Sequence, residues 1–161
     1  MIKTKKIVHV SDAKVSSNPD EVVVTFSLGS CIAVSLYDRA TKIGGMLHFQ
    51  LPESRLDSER AKQKPFMFAD TGMDKLIAKM VSMGVNKNRL EVKIAGGAAM
   101  DTGPKGFDIG KRNHLAIRKY FWKKGILIDA EDVGGLAPRN MYLDIEDGTV
   151  TVKTGRTEKK L

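Results

Sequence analysis

The stretch EVVVTFSLGSCIAVSLYDRATKIGGMLHFQLP, residues 21–52, decides the fold. Glu21 to Leu28 alternates as a strand does, with Val22, Val24 and Phe26 on one face and Val23, Thr25 and Ser27 on the other. Leu28-Gly29-Ser30 turns the chain, and Cys31 to Tyr37 alternates again. Asp38 to Thr41 reads as a second turn, and Ile43 to Leu51 is a third apolar run, ended by Pro52. Three consecutive strands are expected.

Outward from this core the pattern changes. SRLDSERAKQK (Ser54 to Lys64) is polar enough to be an exposed loop. Thr71 is placed to cap a helix whose apolar Met73, Leu76, Ile77 and Met80 recur at helical spacing until Gly84. Leu90 to Ala95 returns to strand, and Gly96-Gly97 opens a loop running past Pro104 and Gly106. A second helix follows over Lys111 to Lys124, with His114, Ile117 and Phe121 on one face and Gly125 as its stop. Ile126 to Val133 reads as a strand, and Met141 to Ile145 and Thr149 to Lys153 flank Asp147-Gly148, a hairpin signal. Residues 155–161 are expected to be a flexible tail. Strands outnumber helices without simple alternation, so the fold class is α/β (α+β): mixed sheets packed together, with helices outside. No repeat or linker divides the chain, and one domain spanning 1–161 is expected.

Composition excludes more than it assigns. Of 161 residues, 42% are apolar and 29% charged, which describes a globular chain rather than a disordered one. MIKTKKIVHVSDAKV carries positive charge but no signal-peptide apolar core, and no stretch approaches a membrane span, so a cytoplasmic location without membrane insertion is expected. The net charge of +8 suits an acidic partner, yet the basic residues are dispersed and not interleaved with aromatics, which argues against a nucleic-acid surface. The stripe Arg118, Lys119, Lys123, Lys124 is either a docking face or plain solvation.

The single cysteine can form neither an internal disulfide nor a thiolate zinc site, which leaves a structural thiol or a reactive one. Cys31 directly follows a small-residue turn between two strands, where backbone amides of Gly29, Ser30 and Cys31 can converge on whatever the sulfur attacks. A thiol near its ordinary pKa is mostly protonated at neutral pH and needs a base. Of three histidines, His9 sits in the N-terminal strand and His114 on a helix face, while His48 lies on a strand neighbouring Cys31. Thr25, on the strand leading into the Cys31 turn, is a candidate to orient the imidazole; a satisfied core histidine and an ordinary strand threonine are the bland alternatives. Gly96-Gly97 and Gly103 to Gly106 match neither a P-loop nor a dinucleotide fingerprint. Asp129, Glu131 and Asp132 fit a solvated strand end better than a divalent-metal site, so no metal and no cofactor are expected.

Several separated motifs together resemble one known family. These are Thr25-Phe26-Ser27-Leu28-Gly29-Ser30-Cys31, Gly44-Gly45-Met46-Leu47-His48-Phe49-Gln50-Leu51-Pro52, Lys93-Ile94-Ala95-Gly96-Gly97-Ala98-Ala99-Met100, Ile109-Gly110-Lys111-Arg112-Asn113, and Ala130-Glu131-Asp132-Val133-Gly134-Gly135 with Arg139 beyond. In this order, over roughly Val22 to Val152, they resemble the CheD family of bacterial and archaeal chemotaxis proteins, the chemoreceptor glutamine deamidases. The resemblance implies a protein-glutamine glutaminase whose cysteine, histidine and threonine fall on Cys31, His48 and Thr25. It further implies a sandwich similar to the deamidating domain of cytotoxic necrotizing factor toxins, methyl-accepting chemoreceptors as substrate, and a CheC-type phosphatase as partner. A methylesterase side activity is compatible with the same thioester chemistry. The alternative is a non-catalytic regulator that binds the phosphatase. Gln50 departs from the family pattern, which has a hydrophobic residue such as Met there; it bears on substrate fit.

Overall fold

The strand Ile32–Asp38 is buried along its whole length. Such a strand must be covered on both faces, and the computed structural model shows by what. The structure describes residues 2–99 and 108–161. In chain order the elements are β1 (Thr4–Ile7), β2 (Asp12–Ser16), β3 (Glu21–Leu28), β4 (Ile32–Asp38), β5 (Ile43–Phe49), α1 (Ser58–Gln63), α2 (Ala69–Ser82), β6 (Glu91–Gly96), α3 (Ile109–Lys124), β7 (Ala130–Val133), β8 (Arg139–Asp144), β9 (Val150–Thr154) and β10 (Thr157–Lys160). One sheet runs β1-β3-β8-β9-β10 and the other β2-β5-β4-β6-β7. Each is mixed, since β1 pairs parallel to β3, and β7 parallel to β6.

This is an α/β sandwich with an apolar layer on either side of the second sheet. Ile32, Val34 and Leu36 of β4, with Leu47 and Phe49 of β5, pack against Met73, Leu76 and Met80 of α2 and Ile117 and Phe121 of α3. The intervening residues Ala33, Tyr37 and Met46 face the other way, onto Val23, Leu28, Met141 and Leu143 of the first sheet. The helices therefore cover one outer face only, and β4 lies between them and the opposing sheet.

Three strands do follow one another over residues 21–49, but they do not share a sheet. The turn after Leu28 carries the chain from the first sheet into the second, which places Cys31 where the chain crosses between them. Alternation along β3 also breaks. Its register with β8 shifts between Thr25 and Leu28, with Ser27 at φ 58° and its amide donating to Asn140 Oδ1 at 2.9 Å. This bulge turns Phe26 and Ser27 outward and returns Leu28 to the interior. Ser27 therefore does not share the inward face of Thr25.

Four other expectations change. Residues 54–64 are not simply a loop, because Asp57 accepts from the Arg60 amide at 3.1 Å and starts α1. Helix α2 begins two residues before Thr71, whose hydroxyl instead donates to the Pro65 carbonyl at 2.6 Å. His9 stands in the turn between β1 and β2, not in a strand. The supposed tail forms β10: Gly155, at φ 59°, allows a two-residue turn, and Thr157–Lys160 pairs antiparallel with β9. Leu161 then packs toward the core between the sheets.

Gly96 and Gly97 bring β6 onto the turn that carries Cys31. Gly97 N donates to the Cys31 carbonyl and Ala98 N to that of Gly29, each at 2.9 Å. A Cβ on Gly96, whose φ is 114°, would fall on the Cys31 carbonyl oxygen. The three nearest atoms, two of Cys31 and one of Ile32, are all backbone, so none can yield cheaply. Gly96→Ala is expected to cost about 3 kcal/mol through overlap and left-handed strain. Urea unfolding would show it as a lower midpoint at unchanged slope; an unchanged midpoint would mean that β6 need not approach so closely.

Candidate active site

Three of the residues singled out above occupy one region between the sheets. On β4 and β5, Ala33 stands opposite His48 and Ile32 opposite Phe49. Cys31 is two residues from Ala33 and so shares its face of the sheet, the same face that carries His48. Diagonal neighbours in an antiparallel pair are about 7–8 Å apart, within reach of longer side chains. Cys31 is half-buried and His48 is 1% exposed.

Thr25 reaches His48 from the opposing sheet. Its Oγ1 donates to the Val8 carbonyl at 2.7 Å and lies 2.8 Å from His48 Nδ1. A hydroxyl has one proton and a carbonyl can only accept, so that proton belongs to Val8. The second contact must then run from Nδ1–H to Oγ1. His48 is thereby fixed as the tautomer protonated at Nδ1, with a bare lone pair on Nε2. That Nε2 is buried and has no hydrogen-bond partner among the described residues, a state that costs about 1–3 kcal/mol. Its partner is not Cys31 at rest, because no hydrogen bond joins them.

The turn itself is held by its carbonyls. Those of Gly29 and Cys31 are taken by Ala98 N and Gly97 N, and that of Ser30 accepts from Asn113 Nδ2 at 3.0 Å. The same nitrogen donates to the Gln50 carbonyl at 3.0 Å, tying the Cys31 turn to the end of the His48 strand. With all three carbonyls engaged elsewhere, the amides of Ser30 and Cys31 have no backbone acceptor among the described residues. Gln50 is exposed beside this corner, and its Oε1 accepts from Ser11 Oγ at 3.4 Å.

Burial sets the protonation states. It pushes the Cys31 thiol above its ordinary pKa, opposed by the residue's own amide. It pulls His48 down to about 4, opposed by the Asp12 carboxylate. At neutral pH this leaves Cys31 a thiol and His48 a neutral imidazole.

Other candidates go elsewhere. His9 is exposed, and His114 Nε2 lies 3.1 Å from Glu131 at the surface. Asp129 accepts from Val92 N at 2.7 Å, and Asp132 from Arg139 at 2.8 Å, so the three acids serve three separate partners. Gly96-Gly97 serves the Cys31 turn, while Gly103 to Gly106 lie outside the described residues. Asn113 had entered only as part of a motif. The available signal was its spacing: it stands three, four and seven residues before Ala116, Ile117 and Tyr120, a polar side chain on the buried stripe of α3.

A family model described as CheD chemotactic sensory transduction matches residues 50–154. The chain belongs to the CheD family. A curated CheD relative from Solibacter usitatus, named probable chemoreceptor glutamine deamidase CheD, is 46% identical over 96% of this chain and 92% of its own. Relatives of the same family name from Syntrophus aciditrophicus and Methanococcus maripaludis are 46% and 39% identical over 92% and 96% of the chain. Among solved structures, a Neisseria meningitidis protein of the DUF152 family model has a TM-score of 0.47 at 12% identity, covering 83% of this chain and 63% of that one. The CheD match begins at Gln50, beyond Thr25, Cys31 and His48, whereas the relatives span nearly the whole chain.

The buried imidazole has a consequence for acid stability. An unfolded histidine takes up its proton as pH falls through about 6.5, while folded His48 waits until about 4. Between these values the unfolded state binds more protons, so stability present above pH 6.5 is lost on acidification, by up to about 3 kcal/mol. Urea titrations at intervals across this window should show the loss in the parent and a flatter profile in His48→Gln; parallel profiles would contradict a buried neutral imidazole.

Proposed function

We propose that the chain is a cysteine hydrolase that deamidates glutamine side chains of methyl-accepting chemoreceptors. The observation that carries it is the Thr25–His48 hydrogen bond, which leaves Nε2 bare on the sheet face it shares with Cys31. A buried, unpaired acceptor is retained at such a cost where it has a proton to take. The relatives' names supply the substrate: each is called a chemoreceptor glutamine deamidase.

In this mechanism Cys31 gives its thiol proton to His48 Nε2 as the sulfur attacks the carboxamide carbon of glutamine. The carbonyl oxygen gains negative charge, and the amides of Ser30 and Cys31 donate to it. Imidazolium Nε2–H then protonates the departing nitrogen, the C–N bond breaks, ammonia leaves and a thioester remains. Water attacks the thioester while Nε2 takes its proton, and the returning sulfur recovers that proton as the acid is released. Thr25 accepts from Nδ1–H throughout, so the ring cannot turn its wrong nitrogen to the sulfur. Gln50, at the mouth, contacts the residues flanking the substrate glutamine.

The product carries a carboxylate where a neutral amide stood, a change of one charge on the receptor that alters its signalling state. A glutamate methyl ester presents a similar carbonyl to the same thiol, with methanol leaving in place of ammonia, so methylesterase activity belongs to the same reading. The exposed basic side chains of α3, with Lys119 and Lys123 among them, are its candidate contact for a CheC-type phosphatase. This reading puts the reaction in the cytoplasm, on receptor cytoplasmic domains. Among the described residues no helix is long and apolar enough to cross a membrane.

Incubation with a chemoreceptor cytoplasmic fragment, followed by peptide mass spectrometry, tests this directly. The parent chain is expected to convert defined glutamines to glutamates, and Cys31→Ala to be slower by at least about a thousandfold. Identical spectra from the two would sink the catalytic reading in favour of a binding regulator.

A further inference from the structure

On the helix side of the second sheet, a trough of about 390 Å³ separates edge strand β2 from helix α2. Its floor is apolar, formed by Val15, Phe66, Leu76 and Met83, and lysines ring it: Lys6 and Lys14 on the strand side, Lys75 and Lys79 on the helix. Among the described residues no acidic side chain lines it. Lys14 is neutralised by Asp12 at 2.7 Å. Lys6 donates to the Val15 carbonyl at 2.8 Å, and neither it nor Lys75 and Lys79, exposed one helical turn apart, has an acidic partner among the described residues.

We propose that this trough docks an acidic amphipathic helix of the protein substrate, an inference that rests on the deamidase reading above. Charge complementarity selects the occupant: a ridge of apolar side chains fits the floor, and carboxylates on its flanks meet lysines on both walls. A flat bilayer fits a recess between β2 and α2 less well than a ridge of side chains does, although Met83 of its floor is 37% exposed. Addition of an extended strand to the edge of β2 is obstructed, since the Lys6 ammonium sits on a β2 carbonyl. An inserted helix meets neither obstacle.

The trough and the site share strands β2 and β5 but open on opposite faces of the second sheet. The first residue of β2, Asp12, pairs with His48, and Ser11 N donates to the His48 carbonyl at 2.9 Å. Lys14 is two residues further along, about 7 Å of strand. A substrate helix held there tethers the rest of the substrate to the chain, and a connecting segment that passes round the β2 edge raises the effective concentration of its glutamines at Cys31. Selection among glutamines then depends on their distance from an acidic helix as well as on the residues beside them.

Binding separates this proposal from turnover. A labelled chemoreceptor cytoplasmic fragment is titrated with the Cys31→Ala chain by fluorescence anisotropy, at low and at moderate salt. Adding Lys75→Glu and Lys79→Glu is expected to weaken binding at least about tenfold and to flatten its salt dependence, while Lys75→Arg with Lys79→Arg retains it. Both lysines are exposed, so an unchanged circular dichroism spectrum and melting midpoint are expected alongside. Affinity within about twofold of the parent after charge reversal, or no binding of the fragment by the parent, overturns the proposal. So does loss of sedimentation with phosphatidylserine vesicles while fragment binding is untouched, which would make the trough a membrane contact. Failure of the wild-type chain to deamidate would contradict the function above and leave these binding outcomes as informative as before.

Discussion

A threonine hydroxyl has one proton to give, and the chemistry proposed for this chain depends on where Thr25 gives it. The Val8 carbonyl takes it at 2.7 Å, so Thr25 can only accept from His48. That contact joins the two sheets through side chains, and it links the β1–β2 connection, β3 and β5 in one buried relay. Were Val8 displaced, Thr25 could donate to Nδ1 instead, the imidazole would carry its proton on Nε2, and the base facing Cys31 would become a donor. The edge of the sandwich therefore bears on the reactivity of its centre.

The rest of the architecture holds the parts of that relay in place. The bulge at Ser27 lets Thr25 and Leu28 both face inward, Thr25 toward His48 and Leu28 into the core between the sheets. Gly96 and Gly97 permit β6 to approach the Cys31 turn, and Asn113 fastens the same turn to the end of the His48 strand. Burial then supplies the electrostatics. It disfavours thiolate and imidazolium separately, so both groups rest neutral; in the proposed reaction charge develops only as sulfur meets a carbonyl carbon.

Much of this was legible in residues 21–52. Alternation gave β3 its limits, and the Gly29-Ser30 turn marked where Cys31 would stand. His48 was separable from the other two histidines by its strand. Alternation reports faces, however, and not partners, so the transfer of the chain between sheets after Leu28 could not be read from it. For the same reason Thr25 appeared as a neighbour along one sheet, whereas it acts across two. Strand β2 went unread because only Ala13 and Val15 of its five residues are apolar, and β10 because Thr157–Lys160 is polar throughout and depends on pairing with β9. Asn113 is harder still, since an asparagine on a helix shows its worth only when the carbonyls it bonds, 63 and 83 residues away, are known.

The tautomer of His48 is the point at which the account is most exposed. Long-range nitrogen–proton correlation spectra of the ¹⁵N-labelled imidazole at neutral pH measure it directly. A pyrrole-type signal from Nδ1 and a pyridine-type signal from Nε2, with that pattern lost in Thr25→Val, is the result the structure requires. Pyrrole-type signals from both nitrogens, or the reverse assignment, would show that Nε2 is not a free base and would contradict the proton relay from which the chemistry was built.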